Sequence, residues 1–234
     1  MKVVITNAET LSQDGSSANG GPDEKLERLL YRLFPGENKR SLSHRARTYV
    51  YHQGDAITSF YFLVKGMVAL ERLDNSGRMA ILGIARQGSI LSWTEFFERG
   101  HYSCSAQAIS PCEIVAIPRV DFLSKLQRHI DLLSAVMHNA THQLEAYEDH
   151  IFRLSTLEVP ERLYSTLCNF AEGNCDGSHG REVDLPLRKR EIAALIGTTP
   201  EGISRSLKRL EEINAIEVGK GEVVRLHTRG HGSS

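Results

Sequence analysis

Glu201, Ser204 and Arg205 are the side chains whose types and spacing best suit chemistry with another molecule. On a helix, positions i, i+3 and i+4 share a face. A carboxylate, a hydroxyl and a guanidinium would then project together. Arg205 can donate two hydrogen bonds to O6 and N7 of guanine, Glu201 can accept one from the N4 amine of cytosine, and Ser204 can do either. Thr199, Lys208, Arg209 and the more distant Lys220 are better suited to phosphates, which position a protein without reading sequence. From Arg181 to Ser234 ten Lys and Arg stand against eight Asp and Glu. That excess is mild, so placement rather than bulk charge marks these residues. The competing reading is a solvated helix face on a protein-binding unit.

These groups need a scaffold, and the flanking sequence LPLRKREIAALIGTTPEGISRSLKRLEEINAIEVGKGEVVRL describes one. Leu187–Ile196 reads as a short amphipathic helix with Ile192, Ala193 and Ile196 inward. Gly197 is placed to stop it in a left-handed cap. Thr198 or Thr199 can cap the next helix, with Pro200 in its first turn and Glu201 at its positive end. That helix, roughly Pro200–Asn214, points Ile203, Leu207, Leu210 and Ile213 inward. Ile216–Val218, the turn Gly219-Lys220-Gly221 and Glu222–Leu226 complete a hairpin. The whole reads as a winged helix-turn-helix, whose second helix enters the major groove of duplex DNA.

Upstream, Leu133, Met137, Ala140, Leu144, Tyr147, Ile151 and Leu154 follow alternating steps of four and three. This is a narrow apolar seam with polar flanks over about three heptads, the pattern of a self-associating helix. A helix packed on its own domain would show a wider apolar face. A further helix carries Leu163, Leu167 and Phe170 after Pro160. From about Thr48 to Pro118 the pattern is short strands, Phe60–Val64, Met67–Leu70, Met79–Ile84 and Glu113–Ile117, broken by Gly turns. That spacing predicts a β-barrel or jelly roll, interrupted by a small helix from Trp93. A first helix is expected over Asp23–Phe34.

The composition is compatible with this plan. The chain has 234 residues, 41% hydrophobic and 24% charged, with 28 Lys and Arg against 29 Asp and Glu. A mainly disordered chain and a polycation are excluded. No run approaches the roughly 18 apolar residues of a membrane span, and residues 1–22 read as a polar mobile tail without a signal peptide. A cytoplasmic location is expected. Four cysteines, Cys104, Cys112, Cys168 and Cys175, show no metal-like pairing and read as free thiols. His138 and His142 share a helix face at i, i+4, but no third ligand accompanies them. No Gly-rich phosphate loop, paired carboxylates or Ser/His/Asp set stands out, so an enzyme is not expected. The alternative is a small-molecule-binding module or enzyme carrying a protein-interaction winged helix.

In this order of parts the sequence resembles the CRP/FNR family of bacterial transcription regulators over about residues 25–226. YHQGDAITSFYFLVKGMVAL is similar to the family's Gly-Asp turn, strand and second Gly turn. TPEGISRSLKRLEE matches its recognition helix, and Glu201, Ser204 and Arg205 look like the FNR-type branch. The resemblance implies an α+β chain: a tail (1–22), a cyclic-nucleotide-binding-type β-barrel sensor (23–122), a dimerisation helix (123–157) and a winged helix-turn-helix (158–234). It implies a homodimer on double-stranded DNA at palindromic TTGA- or TGA-containing half-sites. It further implies an RNA polymerase contact through the loop Gly173–Gly180.

The sensor departs from the family pattern. Counting from Gly88 places Ser92 and Trp93 where cyclic-AMP-binding members carry Gly-Glu, and Ser103 and Cys104 where they carry the Arg-Ser clamp. A buried phosphate without its cation forgoes charge-assisted hydrogen bonds worth roughly 1.5–3 kcal/mol each. Trp93 is expected to invade the ribose space. Cyclic AMP is therefore not expected. An iron–sulfur cluster is not expected either, since residues 1–103 contain no cysteine. His52 and His101 could ligate haem, as in gas-sensing relatives, but nothing marks them as axial ligands. A thiol switch at Cys104 or Cys112 competes with both being small core residues. The effector, or its absence, stays open.

Overall fold

The computed structural model describes residues 22–36, 39–91, 93–97, 100–171, 181–184, 186–219 and 223–226. Helix α1 (Pro22–Leu33) opens the described chain, followed by strands β1 (Arg40–His44), β2 (Tyr49–Tyr51), β3 (Ser59–Lys65), β4 (Val68–Leu73), β5 (Met79–Ala85) and β6 (Ile90–Leu91). A four-residue helix α2 (Trp93–Phe96) precedes β7 (Ser105–Ala108) and β8 (Cys112–Pro118). Two antiparallel sheets result, ordered β1-β8-β3-β6 and β2-β7-β4-β5. Between them lies a core of Tyr51, Leu63, Val68, Leu70, Tyr102, Cys104 and Ile114 among others.

The first sheet is apolar on its outer face too. Phe60, Phe62, Val115 and Ile117 point away from the sandwich and meet Leu26, Leu30 and Phe34 of α1. Phe122 of helix α3 (Arg119–Leu126) stacks on Phe60 at 3.8 Å between ring centroids. This is why β8 is buried nearly throughout rather than on alternate residues.

The expected dimerisation helix over residues 123–157 is interrupted. α3 ends at Leu126, and the long helix α4 begins at Ile130 and runs to Thr156. His129 between them is extended, φ −127° and ψ 96°. Helix α5 (Val159–Ala171), strand β9 (Arg181–Asp184), helices α6 (Lys189–Ile196) and α7 (Pro200–Glu212), and strands β10 (Ile216–Val218) and β11 (Val223–Leu226) form the C-terminal unit. Its sheet has the order β10-β11-β9, so the hairpin gains a third strand from a stretch to which the sequence assigned no element.

The C-terminal unit shares a core with the barrel. Ala69, Ile81 and Ile109, on the outer face of the second sheet, pack in one cluster with Leu163, Leu167, Ile192, Leu195 and Ile196. A polar tie crosses beside it. Arg47 Nη1 donates to both carboxylate oxygens of Glu191, each at 2.6 Å, and its Nη2 donates to the Pro186 carbonyl at 3.1 Å. Arg47 holds a left-handed φ of 74°, a conformation a side-chain-bearing residue rarely adopts.

Candidate nucleic-acid interface

The turn between α6 and α7 is built by local chemistry. Gly197 takes φ 66° and ψ 51°, the left-handed cap, and its N–H returns to the Ala193 carbonyl. Thr199 then supplies the N-cap, its hydroxyl accepting from the Gly202 N–H at 3.1 Å, and Pro200 occupies the first turn. Gly202 was not singled out from the sequence, yet the turn depends on it. A Cβ there would stand 2.4 Å from the Thr198 hydroxyl oxygen. Its position just after the cap, against a bulky Thr-Thr pair, was the available signal.

On α7, Ile203, Ser206 and Leu210 are buried and Leu207 is half-buried. Ile213 departs from its inward expectation and is 50% exposed. The helix ends at Glu212 and Asn214 turns left-handed at φ 53°, which takes Ile213 out of the helical phase. Glu201, Ser204, Arg205 and Lys208 are exposed and fall within about 100° of helix circumference. Arg205 makes no hydrogen bond or ion pair among the described residues. Ser204 Oγ donates to the Pro200 carbonyl at 3.2 Å, an arrangement a hydroxyl can exchange for another acceptor. The amides at the helix start, the Thr199 hydroxyl and Arg205 hold the Glu201 carboxyl below its ordinary range, so it stays an acceptor at neutral pH.

The phosphate candidates divide. Lys208 is exposed and within 3.9 Å of Glu212. Arg209 lies at the edge of the arc, 3.9 Å from Glu158 at the start of α5. Thr199 serves the backbone as a cap. Lys220 and the loop Gly173–Gly180, with Cys175, lie outside the described residues.

The seam on α4 also divides. Leu133, Met137, Leu144 and Ile151 are exposed, joined by Ile130 and Phe152. Ala140 is buried, Tyr147 packs into the barrel core, and Leu154 lies against Gly197. A straight helix drifts about 20° per heptad from a 3.5-residue repeat. That drift carries the row 140, 147, 154 progressively toward the chain's own barrel and DNA unit.

The sensor residues stand differently from expectation. Ser92 lies outside the described residues. Trp93 does not enter the space between the sheets; its ring packs against the helical cluster of α1 and α3, and its Nε1 is buried without a hydrogen-bond partner among the described residues. Tyrosines occupy the interior instead. Tyr51 stacks on Tyr102 at 3.9 Å and lies 5.8 Å from Tyr61. Tyr147 leans in from α4 over Gly83, where a Cβ would stand 2.9 Å from its ring, and burial pushes its hydroxyl to about 12. Ser103, at the clamp position, donates to the Glu95 carboxylate. The nearby Arg72 is exposed and gives its Nε to the Ser103 carbonyl at 3.2 Å. A cyclic phosphate would therefore meet a carboxylate and packed phenol rings, so these residues do not fit a cyclic nucleotide.

Burial, then the Glu95 charge, pushes the Cys104 thiol up to about 11, and burial raises Cys112 as well. Both thiols stay protonated at neutral pH, the inert state of a core cysteine. His52 and His101 are exposed. His138 and His142 approach to 3.1 Å between Nε2 atoms, but no group of three or more His, Cys, Asp or Glu suited to a metal forms among the described residues. No helix among them is long and apolar enough to cross a membrane.

A two-sheet sensor barrel, a long helix and a winged helix-turn-helix with an uncovered polar face on its second helix define a DNA-binding transcription regulator. Comparison with known proteins agrees. Residues 41–129 match the model of the cyclic nucleotide-binding domain, and residues 161–230 match the Crp-like helix-turn-helix domain. The chain is 30% identical over 171 residues to the nitrogen fixation regulation protein FixK of Azorhizobium caulinodans, covering 72% of this chain and 68% of that one. It is 28% identical over 179 residues to the cAMP-activated global transcriptional regulator CRP of Salmonella typhimurium, covering 76% and 85%. The fold resembles that of the c-di-GMP-responsive global regulator CLP of Xanthomonas campestris, with a TM-score of 0.72, 22% identity, and coverage of 88% and 99%. The chain belongs to the CRP/FNR family of transcription regulators.

Proposed function

We propose that two copies of the chain pair through the exposed stripe of α4 and set their α7 helices in successive major grooves of a palindromic site. Two such helices stand about 34 Å apart along the duplex. In each half-site Arg205 reads guanine, Glu201 reads cytosine and Ser204 adapts to its neighbour, within a TGA-containing sequence. Lys208 and Lys220 hold phosphates, while Arg209 must exchange Glu158 for a phosphate to join them. The carrying observation is the exposed Arg205 guanidinium, without a hydrogen bond or ion pair among the described residues, beside the ionised Glu201 carboxylate on the exposed face of α7.

Regulation in this reading comes from an effector other than cyclic AMP or from none, and the regulator meets RNA polymerase in the cytoplasm through the loop Gly173–Gly180. The test is Arg205→Ala in fluorescence anisotropy with TTGA-bearing palindromes and with scrambled duplex. Loss of guanine discrimination costing about 1–3 kcal/mol at one half-site position is the expected result. Unchanged affinity and sequence preference would remove Arg205 from the reading surface.

A further inference from the structure

The three parts of the chain border an open cleft of about 440 Å3 where they meet. The end of β5 and the turn to β6 form one wall, the middle of α4 a second, and α5 with Leu195 of α6 a third. The volume falls within the roughly 300–1,000 Å3 of small-molecule sites. Tyr147 stands between this space and the barrel interior, so the junction is separate from the place where a cyclic nucleotide fails to fit.

Its lining is electrically one-sided. Arg86, Arg153, His142 and His150 face it, and no Asp or Glu lines it among the described residues. In a chain whose acids and bases are otherwise balanced, this concentrates positive potential in a concavity, where low-dielectric walls focus it. Each basic side chain has its own setting. Arg86 donates through Nη2 to the Asn169 carbonyl at 2.9 Å and lies over the Phe170 ring at 5.2 Å. His150 hydrogen-bonds the backbone of Leu195, and its burial, then neighbouring Arg153, opposes its protonation. His142 sits at the rim with His138 and, 3.4 Å away, Glu145. The guanidinium of half-buried Arg153 makes no hydrogen bond or ion pair among the described residues. A partly buried guanidinium without a counter-charge loses hydration and gains nothing, so an anion delivered to it is favoured. Gln143 and Asn169 add amides suited to hydroxyl or carbonyl groups.

We propose that this junction binds a small polyanion, a metabolite bearing two or more carboxylate or phosphate groups. The walls come from the barrel, the long helix and the DNA unit, so an occupant's affinity depends on how the three are arranged. By linkage, occupancy then changes DNA affinity. That last step rests on the DNA-reading role proposed above.

The experiment uses the full chain in chloride buffer at matched ionic strength. Thermal unfolding is followed while inorganic phosphate, pyrophosphate and citrate are titrated separately, so that phosphate and carboxylate chemistry are told apart. A saturable rise in unfolding temperature with at least one of them is expected. Arg153→Gln should weaken that apparent affinity about tenfold or more, the worth of one charge-assisted hydrogen bond. Ala146→Glu, which adds a carboxylate to the lining on an exposed helix position, should abolish it. Arg32→Gln, on the exposed side of α1, should titrate as the parent chain does. No saturable rise with any of the three, or an unchanged titration in both junction variants, overturns the site. Saturable binding by a chain that ignores duplex DNA would keep the site and overturn only its link to DNA.

Discussion

Glu71 is a buried carboxylate on the outer face of the second sheet, where the C-terminal unit covers it. Tyr49 donates to its Oε2 at 3.1 Å, and Glu191, Arg190 and Arg47 stand around it. Burial dominates and raises its carboxyl above the ordinary range. The folded chain thus holds this proton more tightly than the unfolded chain. Stability is highest with Glu71 protonated and falls as pH rises from the ordinary carboxylate value through the raised one. Glu71→Gln keeps an acceptor for Tyr49 and cannot ionise. Melting curves between about pH 5 and pH 8 should show a flatter profile and a higher unfolding temperature at the alkaline end. A variant less stable than the parent at every pH would mean that the charge itself is wanted there. Single residues of this kind are poorly legible in sequence. Glu71 follows Val68-Ala69-Leu70, and nothing in that run shows that the outward face of the strand is covered.

Among the elements, α4 carries the sharpest division of roles. One flank is committed within the chain: Asn139 donates to the Gly88 carbonyl at 2.6 Å, and Tyr147 fills the mouth of the barrel. The adjoining flank leaves Met137, Leu144 and Ile151 at 47–61% exposure. Burying one leucine is worth about 1.5–3 kcal/mol, and a two-fold pair buries two. Leu144→Asp should therefore weaken pairing about 100-fold or more, read as a shift to monomer in sedimentation equilibrium. An unchanged dimer would move the interface off α4. The heptad pattern made the helix and its apolar seam readable, but not which residues face inward, because that depends on the barrel beside it. The turn between the two helices was readable apart from Gly202 and the choice between Thr198 and Thr199 as the cap, since Gly197, Thr199 and Pro200 act locally. Strands β1, β2, β6 and β7 were missed: RSLSH, YVY, IL and SAQA are too short or too polar to show a period. Their partners across the sheet define them.

At the scale of the molecule, the barrel and DNA unit are joined by an apolar cluster and by the Arg47–Glu191 pair. Glu191 also accepts the Arg188 N–H at 2.8 Å to start α6. Removing one partner of a buried ion pair costs about 3–5 kcal/mol. Arg47 keeps 32% of its side chain exposed, so Arg47→Ala should cost less, about 2–3 kcal/mol, and loosen the junction. Faster amide exchange in α6 and the β1–β2 turn, with α1 unaffected, is the expected signature. Uniform protection would show that the apolar cluster suffices alone. The shared cluster has a practical corollary for anyone who would cut the chain in two at residue 157. Ile81 and Ile109 on one piece, and Ile192 and Ile196 on the other, would each become a bare greasy wall. The DNA reader would come away with an orphaned carboxylate at the root of its first turn helix, so its behaviour in isolation would be a poor guide to its behaviour in the intact chain.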